Sequence, residues 1–240
     1  MSLSSPMGRA PLEPAGRHTD VALPERVSYW EPWPRRMRAL LDGHTVVDTR
    51  RAVMLWQTGA FPGLYYPRAD VRADLIDGSL LAAAPAASGQ GGELAGYVTV
   101  DFGAMDRWFE EDDPVYAHPR DPYHRVDVRS SSRHVTISHT GRVIAESGRP
   151  KLLFETGNPV RYYLPLADVD LSLLTLSGTV SQCPYKGDGQ HWHLTVNGEH
   201  LPDAAWSLPH PLPEAALATA HLCFYPATVH TDVDGQHIDE

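Results

Sequence analysis

The stretch from Arg35 to Val71 recurs 98 positions further along the chain without a gap, and this duplication restricts the possible folds more than any other feature. Arg35 falls on Arg133, Gly43 on Gly141, Arg51 on Arg149, Leu55 on Leu153 and Thr58-Gly59 on Thr156-Gly157. Tyr65 and Pro67 fall on Tyr163 and Pro165, and Ala69-Asp70-Val71 on Ala167-Asp168-Val169. A constant offset held over such a length marks a duplicated structural unit. The 240 residues then divide into two domains of roughly 100–120 residues, each long enough to bury about 65% of its unfolded surface. We expect a disordered tail over residues 1–24, an N-terminal domain over 25–120 and a C-terminal domain over 121–240, with the boundary near Pro119 to Tyr123.

Both copies read as β-structure. Met37–Leu41 and Thr45–Asp48 flank Asp42-Gly43, a dipeptide suited to a two-residue hairpin turn. Val53–Gln57 and Leu64–Tyr66 follow, separated by a glycine- and proline-bearing turn. In the second copy Val135 and Ile137 alternate with His134, Thr136 and Ser138, the two-residue period of a half-buried strand. Turn residues recur every 8 to 12 positions with little helical periodicity, which predicts an all-β fold of small antiparallel sheets. Pro32 and Pro34 exclude a helix around Trp30 and Trp33, which are expected to cover an open end of the first core.

The formal net charge of −10 argues against a nucleic-acid binder, which needs a basic face to displace counterions. No apolar run reaches the 18 residues of a membrane span, and residues 1–20 carry no secretory pattern, so a cytoplasmic protein without membrane or nucleic-acid partners is expected. Cys183 and Cys223 are expected to be free thiols. The acids between Asp106 and Asp113 read as a solvated face, with a protein-contact surface as the alternative.

The copies diverge after Val71 and Val169. The first continues into the low-complexity run 80–96, while the second holds Cys183-Pro184-Tyr185-Lys186-Gly187 and then His191-Trp192-His193. Pro184 and Gly187 make a rigid turn that presents a thiol, a phenol and an amine together, a set able to hold an anion or form a covalent adduct. The chain has only two lysines, Lys151 and Lys186. Glu155 closes the apolar run of 151–154, so it must pair, and Arg133, Arg149 and Arg161 are the expected partners. Arg133, Glu155, Tyr163, Cys183, Tyr185, Lys186 and Trp206 are the expected lining of a small-molecule pocket, with Lys186 and Cys183 as catalytic candidates. Lys186 is taken as exposed enough to matter for a ligand and little for folding. His191-x-His193 with Cys183 does not make a structural zinc set, because four ligands in close pairs are wanted and no C-x-x-C occurs; no metal and no cofactor are expected. Gly157-Asn158 followed by Asp168-Val169-Asp170 imitates the metal-binding pattern of nucleotidyl transfer, but Pro159 and Pro165 leave no room for the helix that chemistry needs.

The runs 118–128, 131–135, 152–157, 161–165, Asp168-Val169, 183–187 and 223–226 together resemble the tandem, bacterial type of domain-of-unknown-function family 427, over about residues 26–236. The resemblance implies compact β-tent-like domains similar to methionine sulfoxide reductase B, without the paired zinc ligands of those relatives. The family also carries a nucleotidyltransferase-like label, which implies metal-dependent chemistry through Asp168 and Asp170 as an alternative to binding. An enzyme and a binder differ in whether Lys186 sits against a carboxylate within a cleft.

Overall fold

The computed structural model describes residues 27–85 and 94–238. The expected tail and the centre of the low-complexity run lie outside these residues. The described chain forms two compact units, the first ending at Asp121 and the second beginning at Pro122. Both are built from small antiparallel sheets and short 3₁₀ turns. Among the described residues no helix is long and apolar enough to cross a membrane.

The N-terminal unit holds β1 (Ser28–Pro32), β2 (Met37–Leu41), β3 (His44–Thr49), β4 (Val53–Gln57), β5 (Gly63–Pro67), β6 (Leu81–Ala83), β7 (Tyr97–Val100), β8 (Arg107–Glu110) and β9 (Asp113–Val115). They form a five-stranded sheet, β1-β4-β5-β7-β6, and a four-stranded sheet, β3-β2-β8-β9. Trp33, Met37, Val47, Trp56, Tyr66 and Trp108 fill one core. Trp33 is thus a core residue, whereas Pro32 ends an edge strand that pairs only with β4, where its missing N–H costs nothing. The start of the low-complexity run is β6 instead of loop. Three acids of 106–113 engage arginines across the sheet, while Asp106 accepts the Asp42 N–H: Glu110 bonds Arg35, Glu111 accepts the backbone N–H of Arg36 and Asp112 pairs with Arg38.

The C-terminal unit repeats the plan with β10 (Val126–Ser130), β11 (Val135–His139), β12 (Arg142–Ser147), β13 (Lys151–Glu155), β14 (Arg161–Pro165), β15 (Leu174–Cys183), β16 (Gly187–Val196), β17 (Glu199–Pro211), β18 (His221–Phe224), β19 (His230–Val233) and β20 (Gln236–His237). Its large sheet, β10-β13-β14-β18-β17-β16-β15, begins with the same five positions as the first copy and then adds β16 and β15 at the edge.

The repeat persists at the level of single bonds. Asp42-Gly43 and Thr140-Gly141 both turn with two positive φ angles, as a two-residue hairpin with right-handed strand twist demands. The ladder slips after Ala39 in one copy and after Ile137 in the other. Val47 bridges Val71 as Ala145 bridges Val169. Asp70 is locked by Thr49 and Arg51, and Asp168 by Ser147 and Arg149. Past the 3₁₀ turns Phe224 corresponds to Val100, because Leu81 pairs with Val100 as Ala205 pairs with Phe224.

The Arg149 and Ser147 hydrogen bonds hold the Asp168 carboxyl down at about 2, below its ordinary 3.8. A depressed carboxylate stabilises the fold above its ordinary value, and that contribution fades as pH falls toward about 2. Asp168→Asn should therefore melt below the parent at neutral pH, and the difference should shrink between pH 4 and pH 2. Melting curves across that range, with a constant difference at every pH, would refute the lock.

Candidate functional site

The large sheet of the C-terminal unit has two apolar faces. One packs Leu164, Leu194, Val196, Leu222 and Phe224 onto Ile137 and Ile144 of the smaller sheet. The other carries Leu153, Tyr163, Leu208 and Cys223, covered by the 3₁₀ segment Pro213–Ala218. Register puts the site on this second face. Lys151 lies opposite Tyr163, Tyr163 opposite Cys223, Cys223 opposite Trp206 and Trp206 opposite His191, so one row crosses five strands. Strand alternation places Glu155 with Leu153, and Arg161 with Tyr163, on the same face.

Beside this row a cleft of about 340 Å³ opens onto Glu155, Asn158, Cys183, Lys186, Trp206 and Tyr225, with Arg161, Ser181, Leu208 and two glycines also in its walls. Its centre is an ion pair. Lys186 Nζ donates to Glu155 Oε2 at 2.5 Å, and His124 Nε2 meets the other oxygen, Oε1, at 3.0 Å. The Glu155 side chain is only 9% exposed and that of Lys186 21%. Burial drives the Glu155 carboxyl upward, but the His124 hydrogen bond and the Lys186 charge outweigh it and hold the group below the usual value.

Local sequence explains how these groups meet. Cys183 pairs with Gly187, so Pro184, Tyr185 and Lys186 form the tip of the β15–β16 hairpin. Gly187 has φ +96°, and a Cβ there would stand 2.7 Å from the His210 carbonyl oxygen. Only glycine lets the end of β17 close on the tip, where Leu212 N–H donates to the Lys186 carbonyl at 3.0 Å. The tip then folds over His124, whose ring lies 4.3 Å from that of Tyr185. His124 arrives through the β10–β13 register, in which Val126 faces Glu155.

The aromatic wall is fixed in the same way. Trp206 Nε1 donates to the Tyr163 hydroxyl at 2.9 Å, and the Trp206 ring lies 4.3 Å from that of Tyr225. Burial pushes the Tyr163 hydroxyl well above its ordinary value, so it stays protonated. His191, 7% exposed, meets Ser181 Oγ through Nε2 at 3.0 Å. Its Nδ1 has no hydrogen-bond partner among the described residues.

Of the seven residues expected to line a pocket, Glu155, Cys183, Lys186 and Trp206 line this cleft. Tyr163 stands behind Trp206 and Tyr185 behind Lys186, both supporting the walls. Arg133 is elsewhere, hydrogen-bonded to Tyr162, which packs into the core on the opposite face. Of the other arginines named as partners of Glu155, Arg149 holds Asp168, whereas Arg161 lines the same cleft and lies over the Trp206 ring at 5.8 Å. Lys186 is a partly buried pair member, not the exposed side chain assumed from sequence. His124, Asn158 and Tyr225 escape sequence reasoning. His124 and Tyr225 fall in the family-resembling runs 118–128 and 223–226, and Asn158 follows the Gly157 turn, but none of the three carries a spacing that points to this cleft.

The remaining candidates are dispersed. Neither Cys183 nor Cys223 is in a disulfide among the described residues. His193 Nδ1 accepts the Asp203 N–H at 3.1 Å, and no three-ligand cluster among the described residues includes Cys183, His191 or His193. Asp170 pairs with Arg142 and caps the 3₁₀ turn at Ser172. Where nucleotidyl transfer needs a helix between Gly157 and Asp168, the chain forms β14.

A comparison with protein families matches residues 29–81 and 127–235 to a domain of unknown function (DUF427). A comparison with curated proteins finds no match.

Proposed function

Because the chain belongs to the DUF427 family, whose description assigns no chemistry, we propose its function from the cleft: the C-terminal unit binds a small anionic molecule. One observation carries this reading. The Lys186–Glu155 pair, backed by His124, lines an open cleft and is not sealed in a core. An ammonium has three N–H donors, and Glu155 takes one, so Lys186 has donors to offer a ligand. Lys186 and Arg161 face the single carboxylate of Glu155 among the described lining residues, which favours an anion. Trp206, Tyr225 and Leu208 supply apolar walls, and about 340 Å³ suits a small metabolite.

The test is calorimetry with a panel of small carboxylates and phosphates. Lys186→Ala should weaken a hit by about 1.5–3 kcal/mol, the range for a hydrogen bond to a charged group. That corresponds to roughly ten- to a hundred-fold in affinity, read well below the variant's melting temperature. A hit that keeps its affinity in both Lys186→Ala and Trp206→Ala binds elsewhere and ends the proposal.

A second reading is favoured by Cys183, which lines the same cleft as Lys186. A thiol, an amine and an adjacent carboxylate are the equipment of covalent catalysis, with Glu155 exchanging a proton with Lys186. Nucleotidyl transfer through Asp168 and Asp170 has less support, since both carboxylates are already held by arginines. A protein-contact role for the 106–113 acids is weakened by their arginine partners. A cytoplasmic location belongs to the same proposal.

A further inference from the structure

The last hairpin carries three ligand-type side chains that the cleft does not use. His230 and Asp232 stand two residues apart on β19, hence on one face of the strand. His237 on β20 lies directly opposite Asp232. Asp234 and Gly235 turn between them with φ of 53° and 78°, the backbone a two-residue hairpin requires. The outcome is an imidazole, a carboxylate and a second imidazole whose ligating atoms all lie within 4.8 Å of one another. His230 Nε2 is 3.1 Å from Asp232 Oδ2, and the two rings lie face to face at 3.9 Å.

His237 is also oriented for ligation. Its Nδ1 is 3.2 Å from the Thr231 carbonyl oxygen, and a proton donated there leaves the lone pair on Nε2. Metal-binding histidines are commonly backed in this way. Thr231 is buried, and the same carbonyl accepts the Ile238 N–H at 2.9 Å, so the support is anchored in the sheet.

The geometry points to a solvent-open, three-ligand site for a borderline divalent cation of the zinc type, held by His230, Asp232 and His237. Two imidazoles and one carboxylate suit zinc, nickel or copper, whereas calcium and magnesium want oxygen ligands. Three protein ligands leave a position for water. Zinc–ligand bonds of about 2.0–2.2 Å set tetrahedral ligand atoms roughly 3.3–3.6 Å apart. His230 and Asp232 already stand this close, and side-chain rotation can adjust the rest of a set that lies within 4.8 Å. β20 is two residues long and pairs only with β19, so the ion would act as a clip on the hairpin. Any species that binds the folded state alone raises its stability.

The test uses the untagged full chain and Zn²⁺ alone. Titration calorimetry should show one ion bound through this site, and added Zn²⁺ should raise the melting temperature. His237→Gln and Asp232→Asn should each lower the affinity at least about tenfold, while the exposed His200→Gln leaves it unchanged. Co²⁺ in place of Zn²⁺ should give visible absorption that His237→Gln alters. Far-ultraviolet dichroism checks that each variant is folded, and either of the two ligand variants suffices. No Zn²⁺ uptake, or uptake of equal affinity in the parent and in the folded ligand variants, overturns the site.

Discussion

Replacing Lys186 with methionine is expected to destabilise the C-terminal unit by about 2–4 kcal/mol at neutral pH, somewhat less than the roughly 3–5 kcal/mol of a fully buried pair. The discount reflects the remaining 21% exposure of the Lys186 side chain. The loss arises mainly on the partner side. Glu155 keeps its burial but loses the cation at 2.5 Å and retains only His124. The pH dependence separates this from a simple packing defect. In the parent, Glu155 titrates below its ordinary value, so it stabilises the fold above the usual carboxylate range and that contribution fades as pH falls. In Lys186→Met, burial dominates and the folded carboxyl rises, so the variant loses stability as pH climbs through that range. The deficit should therefore narrow in acid. Adding Glu155→Leu removes the stranded charge, and the double variant should regain most of the loss, since apolar replacements of buried pairs are often neutral. Urea unfolding of the three proteins between pH 4 and pH 8 tests this. A Lys186→Met protein as stable as the parent at pH 7 would show that the pair contributes nothing. A stable double variant with no ligand affinity would instead show that the pair is kept for the cleft.

The second large effect is expected from Gly187→Ala, at about 2–4 kcal/mol. Two penalties add. A φ of +96° is unfavourable for any L side chain, and the new Cβ would approach the His210 carbonyl oxygen to 2.7 Å and Leu212 N to 3.2 Å. Both are backbone atoms, so no rotamer change gives relief, and the hairpin tip must lift. Lys186 would then leave Glu155. Gly189→Ala is the control. Its Cβ meets Ser181 Oγ at 2.6 Å, a side-chain atom that can rotate away. It should cost little folding energy while removing cleft volume. Thermal melts in which the two variants behave alike would mean that the closure of β17 on the tip is not what holds Lys186 in place.

The strands and their pairing were legible in the sequence because identical spacing, turn dipeptides and two-residue alternation all report on backbone geometry. Asp42-Gly43 and Gly141 turn where expected, and Met37–Leu41 is a strand to the residue. Half of the site was legible for a related reason: Pro184 and Gly187 announce a rigid tip, and Glu155 ends an apolar strand. The remainder depends on register between distant strands. His124 reaches Glu155 only because Val126 faces it, and Tyr225 reaches Trp206 from just past the end of β18. Arg133 lies away from the cleft because Tyr162 and Tyr163 are neighbours in sequence but point to opposite faces, and Arg133 follows Tyr162. The His230, Asp232 and His237 set is silent in the sequence because its side chains meet only across the last hairpin, without the paired spacing of a zinc motif.

The extra β15–β16 hairpin has a consequence for how the two halves can change. It is appended beyond β17 at the edge of the sheet and is not threaded through the shared framework. The N-terminal unit, whose sheet stops at β6, is thus a natural deletion of the same architecture, with Gln57 at the strand end where the other copy has Glu155. Binding apparatus and scaffold are separable parts. The hairpin can be treated as a portable module, and grafting it beyond β6 together with Gln57→Glu is the rational route to a chain with two clefts.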